Sequence, residues 1–213
     1  MMMKLTSPPL NILFLTTHRY GVAYGNGLFV AVTVDSFPSD VQTSSDGGLT
    51  WVRRISAAEN FWRSVTWGNN IFVAVASSGS GNRVQTSSNG VQWTSRASAA
   101  DSSWQSVTYG NNLFVAVAEG GTIFNQIMTS SDNGATWALR TSAINLAWRG
   151  VTFGNGVFVA VACTNRVQSS RDGITWTSRT SASNNWVAVI YGNGNFVSVA
   201  QSGSGNRVMT APG

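Results

Sequence analysis

The sequence predicts an all-β fold, a five-bladed β-propeller of four-stranded antiparallel blades, and three observations lead there. The first is a repeat: Trp-x-x-Val-Thr-aromatic-Gly-Asn begins at Trp62, Trp104 and Trp148, with degenerate copies from Arg19 and Trp186. Its glycines stand at Gly25, Gly68, Gly110, Gly154 and Gly192, separated by 43, 42, 44 and 38 residues. Four residues after each glycine comes Phe29, Phe72, Phe114, Phe158 or Phe196, followed by Val-Ala-Val or, once, Val-Ser-Val. The second observation is that no stretch of useful length carries the 3.6-residue period of a helix; apolar residues alternate or form short β-rich runs. The third is length, since 213 residues suffice for one closed domain with a sizeable core. A period of ~40 to 50 residues made of short strands is one sheet per repeat in a propeller.

The second repeat shows the elements most clearly. Strand A is Trp62 to Trp67, and it stops at the turn Gly68-Asn69-Asn70, a hairpin signal between two β-rich runs. Strand B, Ile71 to Ala76, is nearly all apolar, as suits a strand covered on both faces. After a loop over Ser77 to Gly81, strand C runs from Asn82 to Ser87, and after Asn89-Gly90 strand D runs from Gln92 to Arg96. The repeats divide the chain at about 19–61, 62–103, 104–147, 148–185 and 186–213. The last stops after strand C, at Val208-Met209-Thr210, and lacks a strand D. The apolar run Leu10 to Leu15, within residues 8–18, is expected to supply that strand, closing the ring and covering an open edge. Two residues after each strand A start stand Gly21, Ser64, Ser106, Gly150 and Ala188, all small, as crowding around a narrow axis requires.

Composition narrows the function. Charged residues make up 10% of the chain, the net charge is +5, and twelve arginines accompany one lysine, Lys4. The arginines recur with the repeat: Arg54, Arg96, Arg140 and Arg179 lie three residues after a tryptophan, and Arg83, Arg166 and Arg207 each follow an asparagine. Separated charges make a poor phosphate track, so nucleic acid is not the expected partner. With Cys163 the only cysteine and His18 the only histidine, no zinc cluster is expected, and no cofactor. No apolar run is long enough to span a bilayer. Pro8-Pro9 and the lack of a small-residue cleavage site argue against a signal peptide, so cytoplasmic synthesis is expected.

The C–D connections carry a family resemblance. Ser130-Ser131-Asp132-Asn133-Gly134-Ala135-Thr136-Trp137 resembles the Asp box, or BNR repeat, of sialidase-type propellers, and Ser44 to Trp51, with Asp46, fits the same pattern. Ser170 to Trp176, with Asp172, and Ser87 to Trp93, with Asn89, are one residue shorter. The residues themselves read as turn chemistry: an acid or amide accepts backbone N–H bonds, glycine supplies a positive φ, and tryptophan anchors the hairpin. The resemblance agrees, since it places the boxes away from the active site.

No catalytic residues are assigned. Sialidases look like six-bladed rings with an arginine triad, a tyrosine nucleophile with its glutamate, and an acid. This chain has five repeats and two glutamates, Glu59 and Glu119, with no motif around either. A non-catalytic binding propeller is expected instead, probing glycans on the face opposite the Asp boxes. The expected sites combine Trp62, Trp148 or Trp186 as stacking surfaces with Asn82-Arg83, Asn165-Arg166 or Asn206-Arg207 as donors. By fold analogy this is similar to five-bladed propeller lectins of the tachylectin type. The competing expectation is an interaction protein with a protein assembly partner, such as a virion, tail or surface-assembly component.

Overall fold

The computed structural model describes residues 19–34, 41–120 and 125–213. These form five antiparallel sheets, each following the chain in simple up-and-down order. Blade 1 contains β1 (Arg19–Gly25), β2 (Leu28–Thr33), β3 (Val41–Ser44) and β4 (Val52–Arg54). Blade 2 contains β5 (Trp62–Gly68), β6 (Ile71–Ala76), β7 (Val84–Ser87) and β8 (Thr94–Arg96). Blade 3 contains β9 (Ser103–Gly110), β10 (Leu113–Glu119), β11 (Ile127–Ser130) and β12 (Ala138–Arg140). Blade 4 contains β13 (Trp148–Gly154), β14 (Val157–Ala162), β15 (Arg166–Ser170) and β16 (Thr177–Thr180). Blade 5 has three strands among the described residues: β17 (Trp186–Gly192), β18 (Asn195–Ala200) and β19 (Val208–Pro212). The fold is that of β-propeller blades, and the segment expected to complete blade 5, Leu10 to Leu15, lies outside the described residues.

Each blade starts from the same local chemistry. The A–B turn places asparagine in the left-handed region, as at Asn69 and Asn70 (φ 46° and 61°), which that side chain tolerates better than most. The pairing Trp62↔Ala76 then Ser64↔Val75 skips one residue, a bulge repeated in blades 1, 3, 4 and 5 at the same place. An arginine in each fourth strand is tied back: Arg54, Arg96 and Arg140 donate from Nε to Thr43, Thr86 and Thr129 Oγ1, and Arg179 does so to Ser169 Oγ.

Consecutive blades are joined by a repeated contact. The tryptophan opening one blade is wedged against the valines of the blade before it: Trp62 against Val30, Val32 and Val41, and Trp104 against Val73, Val75 and Val84. Trp148 packs against Val115, Val117 and Ile127, and Trp186 against Val161 and Val167. Innermost strands touch as well. Val107 N donates to Ser64 Oγ at 3.2 Å, and Val151 N to Ser106 Oγ at 3.1 Å, while a β-carbon on Gly21 would lie 2.9 Å from Ser64 Cα. The small residues two places into strand A are therefore where neighbouring inner strands meet. These contacts join β1 to β5, β5 to β9, β9 to β13 and β13 to β17, whereas β17 and β1 do not pack against each other in this way. Among the described residues, four such joints link the five blades in chain order.

Candidate functional site

Strand A starts and B–C loops share one end of the molecule; A–B and C–D turns share the other. The bond from Asn69 Nδ2, in an A–B turn, to Asn133 Oδ1, in a C–D turn, fixes the second grouping. At that end the C–D turns are closed by their own side chains. Asp46 accepts from Thr50 N at 3.0 Å and from the Thr50 hydroxyl, Ser44 Oγ donates to it at 2.7 Å, and Trp51 Nε1 donates to Gly48 O at 3.0 Å. Asp132 does the same with Thr136 and Ser130, and Asp172 accepts from Ile174 N and Thr175 N, both at 2.8 Å. Asn89 replaces the acid in blade 2 and accepts from Val91 N and Gln92 N through its amide oxygen.

Those bonds favour the charged form of each acid. The Thr50 hydroxyl, then its amide and Ser44, hold Asp46 far below the usual carboxylate range. The Thr175 and Ile174 amides bring Asp172 down to about 2. At Asp132 burial works the other way and is outweighed by the Thr136 hydroxyl and amide, so its pKa is also lowered. Among the described residues no three His, Cys, Asp or Glu side chains come together to hold a metal ion.

At the opposite end the expected aromatic platform is corrected by the structure. Trp62, Trp148 and Trp186, like Trp104, are completely buried in the joints between blades. A ring with no accessible face cannot stack on a sugar. Three of these indoles are also satisfied internally, with Nε1 of Trp62, Trp104 and Trp186 donating to Ala58, Ala100 and Ala182 O at 3.3, 3.0 and 2.9 Å. Trp148 Nε1 is buried without a partner.

The asparagine–arginine pairs are likewise occupied with shaping loops. Asn60 Nδ2 donates to Asn82 O at 2.9 Å and to its Oδ1 at 3.2 Å, and Asn184 Nδ2 donates to Asn206 O at 2.6 Å. Gly79 and Gly203, at φ 104° and 92°, pass so close to these amides that a β-carbon would fall 2.3 Å from Asn60 or Asn206 Oδ1. Arg83 donates to Gly79 O and Ser77 O in its own loop, to Ser102 O in blade 3 at 2.9 Å, and faces Asp101 at 3.4 Å. Arg207 is exposed, with Nε on Gly203 O at 2.7 Å. Asn165 O accepts from Ser181 N, and Arg166 is half-buried in β15. None of these residues lines the cleft of about 280 Å³ between β14–β16 and β17–β19, which is walled by Val159, Val167, Phe196 and Met209.

The same end carries a cluster that the repeat pattern hid. Tyr20 and Phe61 are each about half exposed. The Arg63 guanidinium sits 4.6 Å from the centre of the Tyr20 ring, Arg63 Nε donates to Ser77 Oγ at 2.9 Å, and Ser77 N donates to Phe61 O at 2.9 Å. One accessible aromatic, Tyr20, thus stacks on a held guanidinium at the joint of blades 1 and 2, and a second, Phe61, is joined through its backbone to the same serine. The sequence signal is a departure from the repeat: the residue before the strand A tryptophan is Phe61 in blade 2 but Ser103, Ala147 and Asn185 in the others. Two acids at this end are tied to arginines, Asp101 to Arg83 and Glu119 to Arg149, while Glu59 is exposed in the loop before β5.

No protein-family model and no curated protein matches the sequence. In structure the chain is similar to the computationally designed Ika8 protein, with 13% identity and a TM-score of 0.65, over 91% of this chain and 58% of that one. It is similar to YCF48 from Cyanidioschyzon merolae, with 13% identity and a TM-score of 0.59, over 92% of this chain and 71% of YCF48. YCF48 bound to D1 peptide is also similar, at 12% identity and a TM-score of 0.62, over 91% of this chain and 66% of that one. A chain of the nidogen/laminin complex matches at 12% identity with a TM-score of 0.66, over 91% of this chain and 75% of that one. At these identities the likeness is one of fold. The chain spans 58% of the length of the designed protein.

Proposed function

We propose that this chain is a non-catalytic binding propeller whose partner is a protein or peptide, held at the Tyr20–Arg63–Phe61 cluster. The observation that carries this reading is the pairing of buried and exposed aromatics. The four joint tryptophans have no accessible surface, whereas Phe61 and Tyr20 do, and Tyr20 lies on an arginine two residues after Phe61 that Ser77 already fixes. Aromatic and arginine side chains supply most hot-spot energy at protein interfaces, and an arginine held in place loses less freedom on binding. Two of the fold neighbours, the YCF48–D1 peptide complex and the nidogen/laminin complex, are complexes with peptide or protein. A glycan reading loses its stacking surface with the tryptophans. A hydrolytic one has, among the described residues, only Glu59 outside such pairings, since Asp46, Asp132 and Asp172 hold turns and Asp101 and Glu119 pair with arginines.

The test uses a displayed random-peptide library and a glycan array side by side. Peptides selected on the wild-type chain should lose about tenfold or more in affinity with Phe61→Ala and with Arg63→Ala, while the thermal transition stays in place. Saturable glycan binding that survives both substitutions, or selected peptides indifferent to them, would overturn the reading.

A further inference from the structure

The residue that each strand A bulge leaves out of register is Tyr20, Arg63, Gln105, Arg149 or Val187, so two of the five are arginines. A bulged residue is aimed differently from its neighbours in the ladder. Both arginines reach back to the preceding blade. Arg149 Nη2 donates to Glu119 Oε1 of blade 3, and the Arg63 guanidinium lies 4.6 Å from the centre of the Tyr20 ring of blade 1. Glu119 follows Ala118, whose ladder partner is Trp104; in blade 1 the same place falls to Val34, because Thr33 pairs with Arg19. The joint of blades 1 and 2 therefore has the arginine of the joint of blades 3 and 4 without its carboxylate.

Among the described residues nothing else takes the part of that carboxylate. Arg63 donates from Nε to Ser77 Oγ, and its Nη1 and Nη2 make no bond. Asp101 is held by Gly81 N and Arg83, Glu119 by Arg149, and the exposed Glu59 forms no ion pair. The surroundings differ in a matching way. The places that Gln105 and Ala147 hold in the repeat around Arg149 belong, around Arg63, to Tyr20 and Phe61, each about half exposed.

We infer, resting on the partner reading of this cluster, that Arg63 is the seat of a carboxylate carried by the partner, with an apolar group next to that carboxylate lying on Tyr20 and Phe61. The free Nη1 and Nη2 offer a carboxylate two parallel N–H bonds, a fit that an amide or a hydroxyl does not match. A guanidinium fixed at Nε by a serine and stacked on a ring is already oriented when the ligand arrives, so little freedom is lost on binding. A half-exposed ion pair contributes little alone, and the two aromatics supply the apolar contact that makes the seat selective. An Asp or Glu side chain and a C-terminal carboxylate share this chemistry.

The first measurement is a titration of the full chain with 3-phenylpropionate, followed through the NMR signals of the arginine Nε–H groups. The Arg63 signal should shift saturably, while that of Arg149, which already holds Glu119, stays in place; 3-phenylpropionamide should move neither. Val34→Glu, which copies Glu119 into blade 1, should fill the seat and weaken binding about tenfold or more, and Arg63→Gln should abolish it, both at a melting temperature close to wild type. Peptides selected on the wild-type chain then separate the two sources. Replacing a peptide Asp or Glu by its amide should cost about tenfold where a side chain supplies the carboxylate, and amidating the C-terminus should cost as much where the chain end does, each cost vanishing with Arg63→Gln. Equal shifts with acid and amide, an equal response of Arg149, or binding unchanged by Arg63→Gln overturns the inference. Selected peptides that depend on Phe61 but lose nothing on amidation overturn it while the partner reading stands. Peptides indifferent to Phe61 and Arg63 overturn the partner reading, and the phenylpropionate titration still decides the seat.

Discussion

The ring of Tyr109 lies over Gly68 so closely that a β-carbon on the glycine would stand 2.1 Å from the tyrosine Cγ. Tyr109 is simultaneously packed on Phe114 of its own blade, ring centres 4.6 Å apart, so it cannot swing away without opening its own core. One glycine therefore sets the approach of blade 3 to blade 2.

This relationship makes Gly68 and Gly192 an informative pair, because they are equivalent in sequence and opposite in surroundings. Gly68→Ala forces a ring and a strand apart and should cost about 3 kcal/mol, the upper part of the range for overpacking. Gly192→Ala meets no atom and should change the stability of the monomer by less than about 0.5 kcal/mol. Chemical denaturation of the two variants checks this, and equal losses would show that the glycine is kept for its backbone rather than for the aromatic above it.

The joint tryptophans differ in one respect that stability can report. Trp104 and Trp148 are both fully buried, but Trp104 Nε1 donates to Ala100 O while Trp148 Nε1 has no partner. Either one changed to alanine should lose about 3 to 5 kcal/mol through the cavity left between blades. Changed to phenylalanine they should separate, with Trp104→Phe costing about 1 kcal/mol more because it leaves the Ala100 carbonyl unpaired. Peptide affinity at the Phe61 cluster should be unmoved in folded Trp148→Phe protein. A loss of binding at full stability would return these tryptophans to a recognition role.

Much of the architecture is legible in the sequence because a repeat averages out local ambiguity. Five copies of a glycine, a phenylalanine and a Val-Ala-Val run place five hairpins, and small residues such as Ser64 and Ser106 disclose where inner strands touch. The exposure of a tryptophan is not legible in the same way. Trp62 in a row of four looks the same whether it faces solvent or the preceding blade, since that depends on the rotation between sheets and not on strand pattern. Asparagine–arginine pairs mislead for a related reason: Asn82 and Arg83 have the donors a sugar needs, and the loop itself consumes them. Phe61 could have been found by asking which residue breaks the pattern at its position.

The acid limb of stability gives the last prediction. Asp46, Asp132 and Asp172 all have native pKa values below the ~3.9 of an unfolded aspartate, with Asp172 at about 2. A group whose pKa is depressed by folding contributes stability that is fully present above its unfolded value and is lost as pH falls through its native value. The melting temperature should therefore be nearly level from neutral pH to about pH 5, then decline between about pH 4 and pH 2 as these three acids take up protons. Blade 2 already shows that a neutral amide can hold the same turn, since Asn89 Oδ1 accepts from both Val91 N and Gln92 N. Replacing all three acids by asparagine should lower stability modestly at neutral pH, where carboxylate bonds are stronger than amide ones, and flatten the acid limb. Melting curves recorded across this range for the wild-type chain and the triple variant decide the matter. An acid limb of unchanged steepness in the variant would mean that other groups govern unfolding in acid and that these turns contribute through shape alone.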